Sequence, residues 1–234
     1  MKYSKIVPAN FLYRMNRFTG VVSLNGENEI VHIKNTGRCR ELLLPGSAVY
    51  LSVPENPSRK TKYDLVAVEK KISGNRTILI NMDSQVPNHA VAEWLSGWDL
   101  FSSRAEIRRE VFYKKSRFDF FIDDGDQKYF LEVKGVTLEQ DGIAMFPDAP
   151  TERGVRHLRE LESAVRDGFS AIVLFLIQMK GIREFRPNDI THPAFGEALR
   201  NAGKNGVKIM AFDSVITPDS ITLCSPVPVN LASL

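Results

Sequence analysis

Asp119, Glu132 and Lys134 are the residues of this 234-residue chain whose types and spacing could do chemistry. They lie in SRFDFFIDDGDQKYFLEVKG, residues 116–135, which reads as two strands joined by a tight turn. Side chains alternate along a strand, so Glu132 and Lys134 share one face and Tyr129, Leu131 and Val133 the other. The same alternation puts Phe118, Phe120 and Ile122 on one face of the preceding strand, and Arg117, Asp119 and Phe121 on the other. A two-residue loop at Gly125-Asp126 sets Asp119 opposite Glu132. A loop at Asp124-Gly125 sets it diagonal to Glu132, opposite Phe130. Both registers leave Asp119, Glu132 and Lys134 on one face, and a one-residue slip would not.

Two carboxylates on one face repel unless a cation lies between them. Hard oxygen ligands in this number suit Mg²⁺, with Mn²⁺ as a substitute, because Mg²⁺ keeps several waters and shares them with phosphate. Such a metal polarises a phosphoryl oxygen and acidifies water, and Lys134 could orient that water or stabilise developing charge. This is the logic of phosphodiester hydrolysis. The same residues also suit a cross-strand salt bridge worth ~0.2–1 kcal/mol. The bare acid-x-Lys triplet recurs at Glu69/Lys71 and Asp126/Lys128. Only the third copy ends an apolar strand beside an in-register Asp. Glu106, heading the strand before the hairpin, is either a further carboxylate or an exposed salt-bridge partner. Gln178 ends an apolar run, where it either lines a crevice or caps the strand. Asp148 is expected to cap a turn and His157 to be a packed or surface residue.

These residues need a scaffold. The first 85 residues read as short strands, FTGVVSLNG, NEIVHIKNTG, SAVYLSVPENP, YDLVAVEKKISGN and RTILINMD. Turns at Gly26, Gly37, Pro45-Gly46, Pro54–Ser58 and Gly74-Asn75 separate them, and about five such strands suggest an OB-like barrel. The loop PENPSRKTKYD offers Arg59, Lys60 and Lys62 either to solvent or to a phosphate backbone. From residue 86 a helix at Pro87, strands AEIRREVFY, SRFDFFI and QKYFLEVKGVTL, a helix DAPTERGVRHLRELESAVRDG, a buried strand SAIVLFLIQ, a helix HPAFGEALRNAG and a strand VKIMAFDSVI follow. That order predicts an α/β domain with a meander entering a mixed sheet. Arg153, Arg156 and Arg159 stud the first of the two later helices and could face solvent or a phosphate backbone.

The composition is that of a globular protein, 43% hydrophobic and 25% charged. Residues 1–85 carry 13 Lys+Arg against 7 Asp+Glu, or +6, and the remainder 18 against 21, or −3. A basic front half suits a polyanionic partner. Two distant cysteines, Cys39 and Cys224, fit a reducing compartment. The start MKYSKIVPANF has no apolar core of a signal peptide, and the longest apolar run, AIVLFLI, is too short to span a bilayer. The expected location is cytoplasmic, with no membrane partner.

The run SRFDFFI…FLEVKGVTL…GIAMFPDAPTERGVRHLREL resembles the sugar fermentation stimulation protein A (SfsA) family. The likeness extends through NTGRCRELLLPG and ENPSRKTKYDL to VLFLIQMKGIREFRP, nearly the whole chain. It implies an OB-like nucleic-acid-binding domain over 1–85 and a restriction-endonuclease-like PD-(D/E)xK domain over 86–234. The family motif falls on Asp119, Glu132 and Lys134, with Glu106 a helper and Asp119 and Glu132 the metal ligands. Arg38, within NTGRCRELLLPG, joins Arg59, Lys60, Lys62, Arg153 and Arg156 as expected nucleic-acid-binding residues. Two positions depart from the family pattern: Gly135 where a small polar residue is usual, and Cys39 where Met is. The resemblance implies a cytoplasmic DNA-binding protein linked to regulation of sugar, particularly maltose, metabolism. No element reads as a recognition helix, so little sequence preference is expected. An active Mg²⁺-dependent nuclease and a protein-interaction domain are the other readings.

Overall fold

Short alternating runs broken by turn residues make the first half of the chain a barrel. The computed structural model describes residues 1–35, 37–56, 58–72, 76–98 and 100–233. Six strands form the first sheet: β1 (Ile6–Arg14), β2 (Thr19–Leu24), β3 (Glu27–Ile33), β4 (Ala48–Ser52), β5 (Asp64–Ile72) and β6 (Arg76–Asn81). The ladder β3-β2-β1-β4-β5 closes on itself where His32 and Ile33 of β3 pair in parallel with Asp64 and Leu65 of β5. Closure leaves no free barrel edge there. The five barrel strands are not the five expected. The sequence pattern omits β1, because Pro8 and Asn10 interrupt its alternation, and it includes β6, which pairs with β5 outside the closed ring. The turn expected at Gly74-Asn75, and Pro57 of the expected Pro54–Ser58 turn, lie outside the described residues.

The second half contains α1 (Val86–Leu95), β7 (Glu106–Tyr113), β8 (Ser116–Asp124), β9 (Gln127–Val136), β10 (Leu138–Gln140), β11 (Ile143–Phe146), α2 (Glu152–Arg166), β12 (Ser170–Ile177), β13 (Glu184–Pro187), α3 (Pro193–Lys204), β14 (Lys208–Thr217) and β15 (Ser220–Pro226). Its main sheet runs β15-β14-β12-β9-β8-β7, with β9, β12 and β14 parallel and both flanks antiparallel. The run AIVLFLI is β12, the middle of the parallel trio, and it is apolar throughout because both its faces are covered. Val173, Phe175 and Ile177 pack into the cluster that holds α2 and α3. Ile172, Leu174 and Leu176 pack with Val86, Ala90, Val91 and Leu95 of α1. The restriction-endonuclease-like mixed sheet is therefore present as expected. The sequence pattern does not show β10, β11 and β13, which form a small separate sheet, or the edge strand β15. Strands of three or four residues are too short to show a period.

Buried polar groups fasten the two halves together. Gln178, just past β12, is 1% exposed, and its side-chain amide donates to the carbonyls of Asn81 and Asp83. The Asn81 N–H donates back to the Gln178 carbonyl at 3.0 Å. Lys70 of β5 pairs with the buried Glu139 of β10 at 2.6 Å. Asp148 accepts the Arg38 N–H at 3.0 Å, so it ties the barrel to the turn before α2 instead of capping that turn. Thr151 caps α2, its Oγ1 accepting the Gly154 N–H at 3.0 Å.

Candidate metal and nucleic-acid site

Asp119 stands where β8 and β9 part. Their ladder runs from Asp124↔Gln127 to Phe120↔Leu131, so the hairpin loop is Gly125-Asp126 and Asp119 lies opposite Glu132. Gly125, at φ 71°, supplies the left-handed residue that this loop needs. Beyond the ladder the Asp119 carboxylate replaces a backbone carbonyl, its Oδ2 accepting the Val133 N–H at 2.7 Å. Asn88 of α1 donates to Oδ1 at 2.6 Å.

The expected facing of β8 needs correction here. Phe118 packs with Phe121 and Phe130 on the α2 side, whereas Phe120 and Ile122 pack on the α1 side. The alternation slips at Asp119. Across from it the β7–β8 ladder omits the Glu110–Asp119 pair, with Glu110 at φ 55° and the register unchanged on either side. The Asp119 carboxylate instead reaches the β9 backbone at the Val133 N–H.

Glu132 is the buried centre of the site, 3% exposed. Its Oε1 accepts from Lys134 Nζ and from His157 Nδ1, each at 2.5 Å. Arg153 Nε donates to His157 Nε2 at 3.2 Å, and arginine has no acceptor, so the His157 proton sits on Nδ1 and points at Glu132. The other Glu132 oxygen, Oε2, is buried without a hydrogen-bond partner. Burial pushes the Glu132 carboxyl up, but Lys134 and His157 outweigh it and hold the group below the usual carboxylate range. Burial and the Glu132 charge push Asp119 the other way, up to about 6, against the Val133 N–H, Lys134 and Asn88. Two neighbouring carboxylates and one ammonium are short of positive charge. Among the described residues no group of three or more His, Cys, Asp and Glu is placed to hold a metal ion. Two carboxylates are nevertheless what Mg²⁺ ordinarily takes from a protein, the rest being water and phosphate.

The structure thus brings Asp119, Glu132 and Lys134 together. Glu106 is elsewhere. It is exposed on the edge strand β7 and pairs with Asp123, while the β7 position across from Asp119 is Glu110. Arg59 is also placed otherwise than expected. Both its terminal nitrogens donate to Asp64 at 2.7 Å, and Asp64, 3% exposed, also meets His32 at 3.0 Å. Its fork is occupied at the barrel surface, where its side chain is 32% exposed. Arg59→Ala should therefore lower stability by about 2 kcal/mol, because it strips a charge-assisted pair from a buried carboxylate. It should leave DNA affinity nearly unchanged, and a denaturant titration beside a binding titration checks both. Lys60 and Lys62 are exposed, with Lys62 3.7 Å from Glu29. Arg38 is exposed beside Gly37, and Arg153 and Arg156 are exposed on the first turns of α2. Two residues that position the site, Asn88 and His157, are not assigned to it by sequence pattern. The only signal for His157 is its place four residues after Arg153, one turn along the same helix face.

An OB barrel joined to a restriction-endonuclease-like domain, with paired carboxylates and a lysine at the parting of two strands, defines the class. Family models agree with both parts: the SfsA N-terminal OB domain matches residues 12–80, and the sugar fermentation stimulation protein RE domain matches residues 85–220. The chain belongs to the sugar fermentation stimulation protein (SfsA) family. It is 54% identical over 231 residues to the sugar fermentation stimulation protein homolog of Desulfitobacterium hafniense strain Y51, covering 99% of each chain. It is 49% identical to the homolog of Ruminiclostridium cellulolyticum, again over 231 residues, 99% of this chain and 100% of that one. The structure of Pyrococcus furiosus SfsA, solved in complex with Ca²⁺, superposes with a TM-score of 0.83 at 28% identity, covering 98% of each chain. Among the described residues no helix is long and apolar enough to cross a membrane.

Proposed function

We propose that this protein binds DNA and hydrolyses its phosphodiester bonds at Asp119, Glu132 and Lys134, with Mg²⁺ as cofactor and Mn²⁺ able to replace it. The observation that carries the reading is Glu132 Oε2, a buried anionic oxygen with no partner, beside an Asp119 whose carboxyl is pushed up to about 6. Leaving such an oxygen unmet costs stability, and a divalent cation would satisfy it. The donor set fits the group. Asp119 and Glu132 would hold the ion, which when bound neutralises phosphoryl charge and acidifies water. The Ca²⁺ in the P. furiosus relative supports a taste for hard divalent cations in this fold.

The chain's own residues have defined tasks. Asn88 and the Val133 N–H fix the Asp119 carboxylate. The line from Arg153 through His157 fixes Glu132 from behind. Lys134, its side chain 15% exposed, holds an ammonium at the mouth of the site, where it meets an attacking water or a phosphate oxygen. The link to sugar metabolism in the family name would then be a consequence of action on DNA.

End-labelled single- and double-stranded DNA, incubated with the protein in Mg²⁺, Mn²⁺ or EDTA, tests the reading. Cleavage in either metal, absent in EDTA and in Lys134→Ala, is expected. A second reading, DNA binding without cleavage, is favoured by one observation: Glu132 Oε1 is already shared by Lys134 and His157. Tight binding with no cleavage in any metal would select it. For the exposed loop, Lys60→Glu should weaken binding equally across sequences and reduce the salt slope by about 1. A loss confined to one sequence would count against a grip on the backbone.

A further inference from the structure

Three cavities adjoin along the seam between the barrel and the second domain. The first, about 160 Å³, has Phe18, His32 and Lys34 in its lining, with Asn35 and Ser84 at its inner end. The second, about 130 Å³, shares Asn35 and Ser84 with the first and reaches Gly135, the residue after Lys134. The third, about 730 Å³, shares Gly37 with the second and is walled by Arg14, Arg17, Arg38 and Arg40. Their shared residues set the three side by side as a grooved row, with an aromatic ring at one end, four guanidiniums at the other and Gly135 between.

Its walls are built and not adventitious. Arg14 donates to the carbonyls of Asn16, Arg17 and Arg38, which ties the β1–β2 tip to the residues beside Gly37. Arg38 and Arg40 are exposed, and their side chains have no ion pair among the described residues. Asp148, a carboxylate in the lining of the middle cavity, accepts the Arg38 N–H with its Oδ2. Phe18 keeps 47% of its surface exposed, with the Arg17 guanidinium 5.6 Å from its ring centre. The floor has no room for side chains at Gly37, where a Cβ would run into Asp148, or at Gly135, where it would lie 2.5 Å from Gln178 Oε1.

We propose that this groove is a track for a single strand of DNA, with a base stacked on Phe18 and backbone phosphates held by Arg38 and Arg40. The inference rests on the nuclease reading and names its substrate class, DNA with an unpaired strand. A duplex keeps its base faces inside its own stack and offers none to Phe18, whereas an unpaired strand offers bases to one wall and phosphates to another. Guanidiniums suit phosphate by their fixed fork of donors.

Fluorescence anisotropy in EDTA tests it, using the full chain, a labelled 15-nucleotide strand and the corresponding blunt duplex at several salt concentrations. The single strand should bind at least tenfold more tightly than the duplex. Phe18→Ala should weaken the single strand about tenfold and leave the duplex unchanged. Arg38→Ala with Arg40→Ala should weaken the single strand and reduce its salt slope by about 0.7 for each phosphate no longer neutralised. Melting curves of each variant exclude unfolding, and Arg40→Ala alone serves where the pair unfolds. Equal affinity for strand and duplex, or a Phe18→Ala variant as tight as wild type, overturns the track. If duplex is then cut in Mg²⁺, the nuclease reading survives without it. Single-strand binding that depends on Phe18, with no cleavage in any metal, leaves the track standing and removes the nuclease reading. Binding to neither form at low salt overturns both.

Discussion

Glu132→Ala is expected to lower metal-dependent cleavage roughly a thousandfold and to remove the rise in melting temperature that Mg²⁺ should give the wild-type protein. The effect is large because Glu132 does three things at once. It offers the unpartnered Oε2, it anchors Lys134, and it accepts the hydrogen bond from His157 Nδ1. Loss of a metal ion forfeits several kcal/mol of transition-state stabilisation, which is about three powers of ten in rate. The alanine also strands the Nδ1–H of a buried histidine, so the variant should be destabilised by about 2 kcal/mol. Glu132→Gln separates the two effects, since its amide oxygen still accepts from His157 while its charge is gone. Cleavage should be lost in Glu132→Gln as well, with a smaller fall in melting temperature. Retention of near wild-type cleavage by the glutamine variant would remove Glu132 from the chemistry. DNA binding in EDTA should persist in both variants, because fewer carboxylates then face the phosphates.

Gly135→Val should cost about 3 kcal/mol and lower the melting temperature by roughly 6–12 °C, as expected of forced overpacking in a chain of this size. The family resemblance marks Gly135 as a position where a small polar side chain is usual. The packing says otherwise. A Cβ there would lie 2.5 Å from Gln178 Oε1 and 2.8 Å from Pro87 Cγ. Gln178 cannot swing away without releasing the carbonyls of Asn81 and Asp83, which it holds across the seam between the domains. Glycine at 135 thus leaves the room that Gln178 and Pro87 occupy at the seam. The measurement is a double-mutant cycle in thermal or denaturant unfolding. In a Gln178→Ala background the Gly135→Val penalty should shrink, since part of the obstruction is gone. An unchanged penalty would assign the clash to the Pro87 ring alone.

By itself the sequence determined the two-part architecture and the core trio. Strand runs punctuated by glycine, then helices alternating with strands, carry enough period to separate a barrel from a mixed sheet, and hairpin parity keeps Asp119 with Glu132 and Lys134 in either register. The choice between the two registers falls to the turn, and the observed Gly125-Asp126 loop puts the carboxylates opposite each other. What period cannot carry is anything that depends on an interruption or on a partner distant in the chain. Pro8 hides β1 from an alternation count, and the slip at Asp119 moves Phe118 to the other side of the sheet from Phe120. Arg59 looks like a free cation in sequence because Asp64, five residues on, reads as a strand residue; the loop turns its fork onto that carboxylate, which the closing of β3 on β5 sets beside His32. His157 looks like a packed residue, and its ring reaches Glu132 because α2 lies across β9. Types and local spacing belong to the chain, but the partners that make a charge free or spent, and a carboxylate satisfied or waiting, are set where distant segments pack.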